Sequence, residues 1–164
     1  MDLYLLRHGI AEEGGAGMHD ADRALTAEGR RKLRQVLTAA CDAKVSLDLI
    51  LSSPLKRALQ TAEVARKTLR YKGNIIRTKA LEPGASVQQV WDEIRDHRDK
   101  ACVMMVGHNP LFSHLAAYLL GSPDVQVDFK KGGLMKINFE HFPPVPRGVL
   151  CWYITAKAVS KLRA

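Results

Sequence analysis

Leu3-Tyr4-Leu5-Leu6-Arg7-His8-Gly9 is the stretch on which the fold turns. Its four apolar residues make a short continuous run, the pattern of a strand buried on both faces. The run stops on a cation, an imidazole and a glycine. In open α/β sheets, ligands bind outside the carboxyl ends of the strands. Three later apolar runs end the same way, in Ser52-Ser53-Pro54-Leu55-Lys56-Arg57, in Leu81-Glu82-Pro83-Gly84 and in Gly107-His108-Asn109-Pro110. Four such ends place two arginines, two histidines and a carboxylate along one rim.

Working outward, strands are predicted over residues 2–7, 49–51, 74–78 and 101–106, the last the most apolar and therefore central. A helix opens at Leu25-Thr26-Ala27-Glu28 with Thr26 as N-cap, and Leu33, Val36, Leu37 and Ala40 form its apolar stripe. Ser53 and Pro54 suit the cap and first turn of the next helix. Ser86 caps a short helix carrying Val90, Trp91 and Ile94, and residues 110–120 form another that Gly121 ends. After that the period changes to two, in Leu134-Met135-Lys136-Ile137-Asn138-Phe139. Residues 149–155 are again β-rich, and a proline-rich loop separates the two. This predicts an antiparallel hairpin at the sheet edge, then a short basic tail over 156–164 that reads as helical. The expected fold is a three-layer α/β/α domain spanning 1–164, with a mainly parallel sheet.

The chain has 164 residues, 46% apolar and 26% charged, ordinary for a globular protein. No apolar stretch has the length to cross a bilayer, and no basic region precedes Leu3 as in a secretory signal, so a cytoplasmic location is expected; a monomer is the expected state. Cys41, Cys102 and Cys151 are odd in number and widely spaced in apolar contexts, which predicts buried, reduced thiols. The net charge of +8 lies partly in clusters such as Arg30-Arg31-Lys32-Arg34, expected to be a solvated helical face. The aromatic residues are dispersed, so neither nucleic-acid nor membrane partners are expected. The segment Glu13-Gly14-Gly15-Ala16-Gly17 lacks the lysine of a P-loop and is expected to be a flexible rim.

The rim residues suit one chemistry. Two arginine forks, Arg7 and Arg57, aimed at one spot match a tetrahedral oxyanion such as a phosphoryl group, and the amino end of the Arg57 helix adds a positive dipole. A neutral His8 is a competent nucleophile toward phosphorus if its acceptor nitrogen faces substrate. Gly9 lets the chain turn sharply and lets a carbonyl meet the other ring nitrogen. His108 can stabilise the equatorial oxygens. Glu82 is the candidate general acid, with Glu12 and Glu13 behind it. His19 lies on the mobile loop, His97 and His141 are expected at the surface, and His114 is expected to pack. Trp91 and Trp152 are expected in the core, and Lys130 and Lys131 in a solvated turn.

This set resembles the histidine phosphatase superfamily, also called phosphoglycerate mutase-like. The matching motifs are Arg7-His8-Gly9, Ser53 to Arg57, and Gly107-His108. The resemblance is strongest to its short SixA-type branch, through Asp22-Arg23-Ala24-Leu25-Thr26, Leu81-x-Pro83-Gly84 and Gly107-His108-Asn109-Pro110. It implies His8 as the phosphorylated nucleophile and Arg7, Arg57 and His108 as the phosphate pocket, with no metal and no cofactor. Members acting on phosphoesters carry an acid after the third strand, where Glu82 falls, whereas the short branch often carries none. The leading expectation is a metal-independent phosphatase acting on phosphohistidine of a signalling protein. The alternatives are a phosphatase for a small phosphoester, such as a sugar phosphate or nucleotide, and a non-catalytic phosphate- or polyanion-binding domain.

Overall fold

The structure, a computed structural model, describes residues 1–162. Its strands are β1 (Asp2–Arg7), β2 (Leu49–Ser52), β3 (Ile75–Arg77), β4 (Cys102–Gly107), β5 (Leu134–Asn138) and β6 (Val149–Ile154). They form one sheet in the order β3-β2-β4-β1-β5-β6. The first four strands run parallel, while β5 and β6 form the antiparallel edge. The helices are α1 (Ala27–Asp42), α2 (Lys56–Thr68), α3 (Val87–Asp96), α4 (Leu111–Leu119) and α5 (Ala156–Leu162).

Strand alternation divides the core in two. Leu3, Leu5, Leu51, Val103 and Met105 pack with Trp91 of α3 and Phe112 of α4 on one face. Tyr4, Leu6, Ile50, Met104 and Val106 pack with Leu33 of α1 and Ala62 of α2 on the other. Both faces of the inner strands are therefore apolar, and that produces the unbroken runs in the sequence. Thr26 accepts from the Gly29 N–H at 3.0 Å. Ser86 and Gln89 close a reciprocal capping box. Each such cap is worth about 1 kcal/mol.

Several details differ from the sequence-based expectation. Ser53 does not cap α2, which starts at Lys56 with Leu55 in the cap position and no side-chain cap. The third strand ends at Arg77, and a 3-10 turn at Lys79–Leu81 separates it from Glu82. None of the cysteines is buried: Cys41 and Cys151 are exposed and Cys102 is half-buried, all as free thiols. Cys41 faces outward from the last turn of α1 and Cys151 lies on the edge strand, so apolar neighbours in sequence did not become neighbours in space. His114 is exposed on α4 rather than packed. Trp91 is fully buried as expected, but Trp152 only partly, against Tyr4. The tail helix covers 156–162, and the rest of the expected tail lies outside the described residues. Among the described residues no helix is long and apolar enough to cross a membrane.

Candidate active site

The pairing of β1 with β4 sets Arg7 opposite Gly107. His8 and His108 therefore leave adjacent strands side by side, with ring centroids 5.0 Å apart. Backbone ties fix this rim. The His8 N–H donates to Gly107 O at 3.0 Å, the Ser53 N–H to Val106 O at 2.9 Å, and the Gly132 N–H to His8 O at 3.0 Å. Thr61 joins α2 to the same turn, accepting from the Gly9 N–H at 3.2 Å and donating to Arg57 O at 2.8 Å. Gly9 is required by packing rather than by a left-handed turn. A Cβ there would lie 2.6 Å from Leu33 Cδ1, and its φ is not positive.

His8 Nδ1 lies 2.8 Å from the Gly9 carbonyl oxygen. A carbonyl only accepts, so Nδ1 carries the proton and Nε2 keeps its lone pair. Burial, helped by the charges of Arg57, Arg7 and Lys131, pushes the His8 pKa down to about 4. Burial, followed by His8 and Arg57, pushes that of His108 down to about 3. Both imidazoles are thus neutral at neutral pH. His108 Nε2 is 2.8 Å from Ser53 Oγ, so the serine orients the ring instead of capping the helix.

Arg57 is 5% exposed and Arg7 half-buried. Arg7 Nη1 donates to Phe129 O at 2.5 Å, and Asn109 Nδ2 donates to the same oxygen at 3.3 Å. Phe129 is itself fully buried between Phe112 and Tyr153. Burying such a ring stabilises by roughly 2–3 kcal/mol, which holds this carbonyl in place. Both Nη atoms of Arg57 go to Asp20, one to its backbone oxygen at 2.7 Å and one to Oδ2 at 2.9 Å. Among the described residues, the buried side-chain polar atoms left without a partner are Arg7 Nε, Arg57 Nε, His108 Nδ1 and Asn109 Oδ1. All four belong to the carboxyl-end rim. The Nε atoms of Arg7 and Arg57 are obligate donors, whereas Asn109 Oδ1 is an acceptor. An unpaired buried donor costs about 1–3 kcal/mol, and an anion seated between the two arginines would satisfy both.

Arg7, His8, Arg57 and His108 are therefore brought together, whereas Glu82 is not joined to them. Among the described residues its half-buried side chain makes no hydrogen bond or ion pair, and it follows a strand three places from β1. Glu12 is used within the loop, accepting from the Ala24 N–H at 3.3 Å. The one carboxylate among the strongest charges on the two imidazoles is Asp20. Arg23 and Arg57 hold its pKa below the ordinary carboxylate value, so it stays ionised. Sequence reasoning missed Asp20, Thr61 and the Phe129 carbonyl. Asp20 opens a 3-10 turn at Asp20–Asp22 inside a connection with no periodic pattern, and a backbone carbonyl has no sequence signal. Lys131 lies exposed in a turn as expected, and its charge adds a small push to the lowered His8 pKa. Among the described residues no three His, Cys, Asp or Glu side chains cluster as a metal site would require.

A three-layer sheet with two histidines and two arginines at its carboxyl rim defines a class of phosphoryl-handling α/β proteins. Within that class the chain belongs to the histidine phosphatase superfamily: the sequence profile of its branch 1 matches residues 3–83. The chain is 31% identical over 140 residues to an uncharacterized protein of Picosynechococcus sp. (strain ATCC 27264 / PCC 7002 / PR-6), covering 84% of this chain and 85% of that one. Its fold matches the protein histidine phosphatase SixA complexed with tungstate, with a TM-score of 0.88 and 24% identity over 97% of this chain and 99% of that one. A structure described as a candidate phosphohistidine phosphatase SixA from Agrobacterium tumefaciens matches with a TM-score of 0.77 and 24% identity, over 94% and 97% of the two chains.

Proposed function

We propose that this chain is a metal-independent phosphatase that carries the phosphoryl group on His8 and takes it from phosphohistidine on another protein. The unpartnered buried Nε–H donors of Arg7 and Arg57, with the unpartnered Nδ1 of His108, beside a neutral His8 are the observation that carries this proposal. Arginine supplies the positive charge that a metal supplies in other phosphoryl-transfer sites. The SixA structure with tungstate, a tetrahedral oxyanion, is similar in fold and supports the same assignment.

In the first step the Nε2 lone pair of His8 attacks phosphorus and the bond from phosphorus to the substrate ring nitrogen breaks. The substrate enters with its other ring nitrogen protonated, so a neutral imidazole leaves. His8 keeps its Nδ1 proton on the Gly9 carbonyl and becomes a phosphorylated imidazolium. Water then attacks phosphorus, the bond to Nε2 breaks, and dihydrogen phosphate departs with both water protons. Neither step requires a general acid. A phosphoester does require one, because an alkoxide leaves poorly. Asp20, the carboxylate whose charge acts on His108, is held ionised and is poorly suited to that task.

Turnover should be measured side by side on a phosphohistidine protein and a panel of phosphoesters, in the presence of a strong chelator. The phosphohistidine protein should be hydrolysed, and an acid-labile, base-stable phosphoenzyme should be trapped in the wild type but not in His8→Ala. Phosphate found on a serine, or label retained by His8→Ala, would overturn the mechanism.

A further inference from the structure

Beside the pocket runs a cleft of about 940 Å³ that shares Arg7 with it. Its walls come from three separate elements: α1, the turn at 128–131, and α5. They bring Arg31, Lys32, Lys130, Lys131 and Lys157 to the cleft, against one carboxylate, Asp128. Lys32 is paired with Glu28 at 2.7 Å and Lys130 with Asp128. Arg31, Lys131 and Lys157 make no ion pair among the described residues, and all three are exposed.

The cleft is built in advance. Tyr153 accepts from the Lys130 N–H at 2.7 Å, donates to Asp128 O at 3.2 Å, and packs its ring on Phe129. These bonds pin the turn on both sides of Phe129, whose carbonyl accepts from Arg7. The surplus of positive charge is spread along an open trough rather than focused at one point. That arrangement fits an extended chain carrying several separated carboxylates better than a single compact anion.

We propose that this α1–α5 cleft docks an acidic segment of the protein whose phosphohistidine enters the His8 pocket. The assignment rests on the phosphohistidine reading above. It adds a specificity site outside the reacting groups, one that selects substrates by the acidic residues flanking the modified histidine.

The test uses synthetic peptides phosphorylated on histidine, with flanks of Asp and Glu or of Ser and Ala, and phosphoramidate as a substrate without flanks. Wild type should prefer the acidic peptide by about tenfold in kcat/KM, mainly through KM, and salt should erode the preference because the cations are exposed. The double variant R31E/K157E should lose the preference while hydrolysing phosphoramidate at the wild-type rate, which shows that it is folded. Direct binding of the unphosphorylated acidic peptide, followed by fluorescence anisotropy, should disappear in the same variant. Equal kcat/KM for the two peptides, or a preference that survives R31E/K157E, would overturn the docking assignment and leave the phosphatase reading intact. Absence of turnover on every substrate would sink the phosphatase reading, and peptide binding would then decide the cleft by itself. Inorganic tripolyphosphate binding more tightly than the acidic peptide would reassign the cleft to a small polyanion.

Discussion

The His8 pocket and the loop that reaches over it handle charge in opposite ways. In the pocket, His8, Arg57 and His108 expose only 6%, 5% and 2% of their surface, and each is fixed by protein partners. In the loop, the Asp20 side chain is 61% exposed while gripping Arg57 at 2.9 Å. A buried group cannot be relieved by water, so its protonation state and its unpartnered atoms are set by the fold. A solvated carboxylate forms a contact worth about 0–1 kcal/mol, which a phosphoryl group with more charge and more oxygens can displace. On the proposed reading, the buried pocket carries the chemistry and the exposed Asp20 competes with the phosphoryl group for Arg57.

Four experiments break or sharpen that contrast. Arg57→Lys should lose about 10²-fold in kcat/KM, roughly 2.7 kcal/mol, because a point charge cannot replace a planar fork in a buried site. A retained melting transition with wild-type turnover would remove Arg57 from the pocket. The second concerns pH. The folded protein keeps His8 neutral from its free value of 6.5 down to about 4, whereas the unfolded chain takes up the proton across that range. The unfolded state then binds more protons, so Tm should fall as pH is lowered through this window. His8→Gln and His108→Gln should each make the fall shallower, and an unchanged slope would refute burial as the cause. Third, Glu82→Gln should leave phosphohistidine turnover within about tenfold, or 1.4 kcal/mol. A larger loss in folded protein would make Glu82 an essential acid. The smallest effect belongs to the loop. Asp20→Asn should tighten inhibition by inorganic phosphate about threefold, within the range of an exposed ion pair. Weaker inhibition would show that Asp20 assists binding instead of competing for Arg57.

Much of the architecture was legible because its elements carry local signatures. Strands buried on both faces must be continuously apolar, and β1, β2 and β4 were found on that basis within a residue or so of their ends. Thr26 and Ser86 cap helices through their own neighbours in sequence, so their roles needed no tertiary information. Ser53 shows the limit of such inference. Ser-Ser-Pro is a sound local pattern for a helix start, yet a histidine 55 residues away takes the hydroxyl. The cysteines fail for a related reason: apolar neighbours along the chain do not say which face of α1 or of the edge strand a side chain occupies.

The sequence by itself determined the order of strands and helices and the residue types standing at each strand end, because hydrophobic periodicity and capping act over a few residues. Only the tertiary structure decided what those ends do to one another. Register set His8 beside His108, burial kept both imidazoles neutral, and the Gly9 carbonyl chose which nitrogen of His8 is free. Desolvation and directional hydrogen bonds depend on the atoms that close over a group from distant parts of the chain, and no local pattern encodes them.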